Sequence, residues 1–187
     1  MFRQVYASLL SQLAEMPPFL QHALAGLPTE LLQRLPEDDK SPLLEHLWHI
    51  RDCESDLYGL RIHRVLRESR PNLEPVDVGN WPAERGYLQR DGNTAIAQFA
   101  ALRSELIADL SQLEEISISR VGIRFDGTEI NILGLVEQVA DHDRDHRWRI
   151  AAILRGYGGR SWVSGLTRRS TRTSRVRGLR PPQRAAG

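Results

Sequence analysis

The chain has 187 residues, 41% of them hydrophobic and 26% charged, the size and balance of one folded domain with a short extension. No run of about 18 apolar residues occurs, which excludes a membrane-spanning helix. The start, Met1-Phe2-Arg3-Gln4, shows no secretory signal, and a single cysteine, Cys53, excludes an internal disulfide framework.

A reducing, cytoplasmic compartment is the expectation. The net charge of +1 hides an asymmetry. Eight of the 25 basic residues lie between Arg160 and Gly187, where there is no acid. That leaves 17 against 24 acids in residues 1–159, an acidic body near −7 followed by a basic tail.

In chain order, Phe2, Val5, Leu9, Leu13 and Met16 recur at helical spacing, and Pro17-Pro18 fit the first turn of a renewed helix toward Leu24. Residues 27–41 read as a short helix or turn and then a loop. Ser41 as cap and Pro42 at the first position open a second main helix to about Glu68, with Leu43, Leu47, Ile50, Leu57 and Leu60 on one face.

Residues 69–92 hold Pro71, Pro75, Gly79, Pro82, Gly86 and Gly92 and form a long connection. A third main helix runs from Thr94 to about Glu114 on the stripe Ile96, Phe99, Leu102, Leu106, Leu110 and Leu113. Residues 115–130, with Asp126-Gly127, suit a short hairpin or loop. Asn131 can cap the last helix, which Gly156 should end. The expected fold is all-α: a four-helix bundle over residues 1–158, with a long connection between its second and third main helices. Residues 159–187 are expected to be a disordered basic tail.

The last helix carries the most specific signal. Its core stripe reads Ile132, Leu135, Val139, His142, His146, Ile150, Ile153, so two histidines stand where the period asks for apolar side chains. They are four residues apart, and both imidazoles leave one face, a spacing that lets two nitrogens reach one metal ion. Two histidines satisfied within a core are the plainer alternative. Asp141 and Asp143 read as part of a solvated charged face. Asp145 can either belong to that face or take a ring N–H from His142.

A mononuclear site needs a third protein ligand and an open position. The second helix offers His46, His49 and Cys53. Its tightest seam slightly favours His46, and His49 lies at the edge, so spacing leaves the two tied. Cys53 can be a further ligand or a reactive thiol, but reads first as a small core residue. His22 and His63 have no partners at useful spacing.

The block Glu45-His46-Leu47-Trp48-His49-Ile50-Arg51-Asp52-Cys53-Glu54, with Arg61 to Leu66, the Pro71–Pro82 connection, Phe99, Arg103, and His142-Asp143 with His146 before Ile150, resembles the DinB-like family of bacterial four-helix-bundle metalloenzymes. In the block, His49, Asp52 and Glu54 match the family pattern. The resemblance spans roughly residues 15–155. It implies a metal held by one histidine of the second helix and two of the last: His49, His142 and His146. Some relatives are thiol transferases or isomerases. The resemblance therefore implies metal-assisted transfer of a low-molecular-weight thiol to a small electrophile, or a related hydrolysis or isomerisation. Lys40 stands where relatives often have tryptophan, and Arg149 where they often have glutamine. Both departures bear on the pocket, as do His46, Asp52, Cys53 and Asp145.

Three imidazoles suit zinc or nickel, and also iron or manganese. The rival reading is a stress protein that holds a metal and a small ligand without turnover. Some relatives pair, so a homodimer is a further expectation. The tail arginines can neutralise phosphates, but only Trp162 offers stacking there and the acidic body repels phosphate. Nucleic acid is therefore not the expected partner. The tail also lacks the apolar spacing of a membrane-surface helix.

Overall fold

A computed structural model describes residues 2–37 and 39–158, so the expectations for the basic tail lie outside the described residues. Four helical columns pack together. The first is α1 (Phe2–Leu13) followed by α2 (Met16–Leu24), broken just before Pro17-Pro18. A short α3 (Thr29–Gln33) leads to the second column, α4 (Leu43–Cys53) and α5 (Leu60–Arg67), joined by a π-helical turn over Glu54–Gly59. The connection carries β1 (Asn72–Leu73), α6 (Trp81–Glu84) and a 3-10 turn at Tyr87–Gln89. The third column is α7 (Gly92–Ser111). After α8 (Glu115–Ile118) and the strands β2 (Val121–Arg124) and β3 (Glu129–Asn131), the fourth is α9 (Ile132–Tyr157). None of these helices is long and apolar enough to cross a membrane.

The expected hairpin is present as β2 and β3, antiparallel with Val121 opposite Asn131, and Gly127 turns it at φ 82°. The sequence did not suggest a third strand. β1 joins β2 in parallel, Asn72 beside Ile123, and fastens the start of the long connection to the hairpin.

Several boundaries differ from the sequence reading for local reasons. The α4 cap is Pro42 and not Ser41: the Pro42 carbonyl accepts from the amides of Glu45 and His46, and no side chain caps the end. α7 begins two residues early because Asp91 takes the Thr94 amide at 2.6 Å. Asn131 caps α9 as expected, accepting from the Gly134 amide at 2.9 Å, but α9 continues through Gly156 to Tyr157. On α1, Tyr6 is buried and Val5 is 43% exposed, because the Tyr6 hydroxyl reaches the Leu110 carbonyl at 3.0 Å.

The π turn has the largest consequence. Its extra residue shifts the phase of the second column, so Leu60 is half exposed while Ile62 and Val65 are buried. Gly59 permits it: a Cβ there would stand 2.5 Å from the Glu54 carbonyl oxygen.

The apolar interior forms two clusters. One gathers Leu20, Leu47, Cys53, Phe99 and Ile150; the other gathers Tyr6, Ile62, Leu106, Val139 and Ala140. On α7 and α9 a buried charged residue falls where the chain passes from one cluster to the other, Arg103 between Phe99 and Leu106 and Asp143 between Ala140 and Ile150, and a third, Glu54, is buried on the second column between Cys53 and Leu57.

Candidate metal centre

α4 and α9 turn their histidines toward each other. His46 and His49 lie one turn apart on α4, and Cys53 follows His49 by four residues. His142 and His146 are four apart on α9. The Nε2 atoms of His49 and His142 are 3.3 Å apart, and the Nδ1 atoms of His46 and His146 are 3.1 Å apart. Ring centroids are separated by 5.1 Å for His49–His146 and 4.5 Å for His142–His146. The structure thus brings His46, His49, His142 and His146 into one group, whereas His22 and His63 lie away on the surface.

Burial disfavours the imidazolium form throughout the group. It lowers His49 to about 4 and His142 to about 3, with neighbouring histidines adding to the effect. It also lowers His146 and His46, although Asp39 pulls His46 the other way. At neutral pH these are uncharged rings with lone pairs, the state in which imidazole binds a metal. Two nitrogens at about 2.0–2.1 Å from one tetrahedral ion would stand roughly 3.3 Å apart. The His49–His142 separation fits that requirement.

The third donor has two contenders. The Cys53 Sγ lies 3.4 Å from His49 Nε2, and ligating atoms of His49, Cys53 and His142 all fall within 4.8 Å of one another. But Cys53 is 1% exposed, and burial, reinforced by Asp52, pushes its thiol up to about 12. A thiolate there is costly, and the side chain packs in the apolar core. His146 is neutral and lines the cleft beside His49 and His142. The chemistry of the donors therefore favours His146, while bare proximity favours Cys53.

The cleft has a volume of about 320 Å3. One wall is His46, His49, His142 and His146, and Val78, Gly79 and Pro82 of the long connection face them. Ser41, Glu45, Asp145 and Arg149 complete the lining. Asp145 and Arg149 are exposed at the rim. Arg149 Nη1 stands 3.8 Å from Asp39 Oδ2. Another cleft, about 230 Å3, is lined by Arg34, Asp39, Trp148 and Tyr157 and holds none of the histidines.

Asp52 is buried and bonds to the connection rather than to the rings. It accepts from Arg51 Nη1 at 2.8 Å, Arg85 Nη1 at 2.6 Å and the Tyr87 hydroxyl at 2.9 Å. Arg85 and Tyr87 belong to the connection that walls the cleft, so Asp52 holds that wall to α4.

Behind His142 lies a buried ion network that overturns the reading of Asp143 as a solvated charge. Asp143 is 4% exposed. Arg103 donates to it from Nη1 at 2.5 Å and Nη2 at 3.2 Å, to Glu54 from Nε at 2.7 Å and Nη2 at 2.8 Å, and to the Leu13 carbonyl at 2.9 Å. All five guanidinium N–H groups are used. Burial alone would lower the Arg103 pKa, but the two carboxylates outweigh it and raise it. Burial pushes the Asp143 carboxyl upward against the pull of Arg103. Asp141, by contrast, is exposed beside Arg144 at 2.9 Å, as a solvated face requires. The sequence reading has Arg103 and Glu54 only as parts of the family resemblance and gives neither a role. Each occupies a position in an apolar stripe, Arg103 between Phe99 and Leu106 and Glu54 between Ile50 and Leu57. The same anomaly drew attention to His142.

Comparison with known proteins agrees with this architecture. Residues 12–150 match the family model of the DinB superfamily, and the chain belongs to that family. Among solved structures it is similar to YfiT from Bacillus subtilis, described as a probable metal-dependent hydrolase with an unusual four-helix bundle topology. The TM-score is 0.74 at 20% identity, over 80% of this chain and 86% of that one. No curated protein matches the chain.

Proposed function

We propose that this DinB superfamily member is a divalent-metal-dependent enzyme that joins a small external nucleophile to an electrophilic small molecule, with His49, His142 and His146 as the protein ligands. The observation that carries this reading is the convergence of neutral imidazoles from α4 and α9 on the wall of one cleft. Family membership and the description of YfiT as a probable metal-dependent hydrolase support it. A divalent cation there supplies Lewis acidity, which polarises an electrophile and acidifies water or a thiol. Zinc and nickel suit three imidazoles best, with iron and manganese as further choices.

The chain's own part is binding and orientation. Cys53 is packed in the apolar core and does not line the cleft, so the nucleophile comes from outside: a low-molecular-weight thiol for transfer, or water for hydrolysis. Glu45 and Asp145 line the cleft as carboxylates able to take the proton released when the nucleophile attacks. Arg149 lines it with a cation that can hold an anionic group of either reactant. The wall fixed by Asp52, Arg85 and Tyr87 limits the cleft to small molecules.

Metal-loaded protein, offered electrophiles with and without added thiol, tests this reading. Consumption that needs the metal and is abolished in His49→Ala supports it, and dependence on thiol separates transfer from hydrolysis. Metal binding with no turnover in either arm would instead make the protein a holder of metal and ligand.

A further inference from the structure

His46 is 5% exposed, and His46 Nε2 is buried without a hydrogen-bond partner among the described residues. Its ring has charged or polar neighbours on both sides. Nδ1 lies 3.1 Å from His146 Nδ1, and Nε2 lies 3.5 Å from Asp39 Oδ2, close enough for electrostatic selection though not for a well-made hydrogen bond. Asp39 is itself held in place, its Oδ1 accepting from the amides of Lys40 at 2.6 Å and Ser41 at 3.2 Å.

The geometry points to His46, backed by Asp39, as the positioning residue that sets the tautomer of His146 and leaves His146 Nε2 bare for the metal. A carboxylate only accepts, so the His46 nitrogen facing Asp39 carries the proton. A neutral imidazole has one N–H, so His46 Nδ1 is then an acceptor. The short Nδ1–Nδ1 contact requires one donor, which must be His146 Nδ1–H. The remaining His146 nitrogen, Nε2, keeps its lone pair. The opposite arrangement would point a bare His46 Nε2 at the Asp39 carboxylate and put the proton on His146 Nε2, blocking it as a ligand. Ligating histidines commonly have their other ring nitrogen fixed by such a partner, and losing it costs about 10–100-fold in metal affinity. Here a second histidine passes the choice inward from a carboxylate.

The inference rests on His146 being a ligand, and two measurements keep the questions apart. In metal-free protein, ring 15N shifts report the tautomer directly. His146 should be the Nδ1–H form in the wild type and shift toward Nε2–H in His46→Phe, which keeps the ring's bulk but removes the acceptor. Zinc affinity, measured against a chromophoric chelator, should fall about 10–100-fold in His46→Phe. It should recover largely in His46→Asn, whose side-chain oxygen can accept near the place of Nδ1. Asp39→Asn should fall between them. An Nε2–H form of His146 in the wild type overturns the inference, as does wild-type zinc affinity in His46→Phe or a His46→Asn variant as weak as His46→Phe. If the tautomer is as stated but His146→Ala binds zinc like the wild type, His146 is not a ligand. The reading of the metal site then fails, and the inference falls with it.

Discussion

His49 on α4 and His142 on α9, 93 residues apart in sequence, hold their Nε2 atoms 3.3 Å from each other at the wall of the cleft. Two neutral rings at that spacing can share one N–H. The same separation is what two ligands of one tetrahedral cation take. Asp39 favours positive charge at His46 and Asp52 at His49, whereas Glu54 and Asp143 are already paired with Arg103.

Cys53 separates the two candidate donor sets. If His146 is the third ligand, Cys53→Ala should bind zinc within a few-fold of the wild type and His146→Ala should not. In the metal-free native protein the thiol, pushed up to about 12 by burial, should resist alkylation at pH 8 and react at the rate of a free thiol only after unfolding. Loss of metal in Cys53→Ala with retention in His146→Ala would reverse the assignment.

Removing Arg103 should be among the most damaging single changes. Arg103→Met would leave Glu54 and Asp143 buried without their cation, a loss of about 3–5 kcal/mol for a broken buried pair, read from urea denaturation. Arg103→Lys should rescue little, because an ammonium cannot replace five N–H donors arranged in a fork. The double variant Glu54→Gln with Asp143→Asn in an Arg103→Met background should recover part of the loss. If Arg103→Met were as stable as the wild type, the network would have no part in joining the two apolar clusters.

Acid should destabilise the metal-free protein through the same imidazoles. Burial lowers His49 to about 4 and His142 to about 3. In the unfolded chain both titrate near 6.5. Above that value they are neutral in both states and have no effect. As pH falls from about 6.5 toward 4, the unfolded chain takes up protons that the folded state refuses, and stability is lost. The loss between pH 7 and 5 is on the order of 2 kcal/mol for each such ring. Urea midpoints of the metal-free wild type should fall across this range, and those of His49→Leu with His142→Leu should fall less. Equal slopes would mean that the rings are protonated in the folded protein.

The sequence reading succeeded where local pattern carries the information. The α9 stripe, its Asn131 cap and the β2–β3 hairpin follow from period, capping chemistry and the Asp126-Gly127 turn. It failed where a distant partner decides. Asp143 reads as one of several charges around the histidines, and only Arg103, on another helix, makes burial tolerable. A constant helical period through residue 60 places Leu60 on the buried face; the π turn over Glu54–Gly59 breaks that period, and Gly59 is the residue that permits it. Spacing left His46 and His49 tied. In the structure both are drawn into the group, with His46 against His146 and Asp39 and His49 against His142 and Cys53.

Elemental analysis of untagged protein purified without chelator, beside His142→Ala, tests the metal centre most directly. The account predicts about one divalent ion per chain in the wild type, lost in the variant, with the two proteins sharing the same far-UV circular dichroism. Absence of metal from both, persisting after incubation with zinc or nickel, would contradict it and assign the histidines to the core.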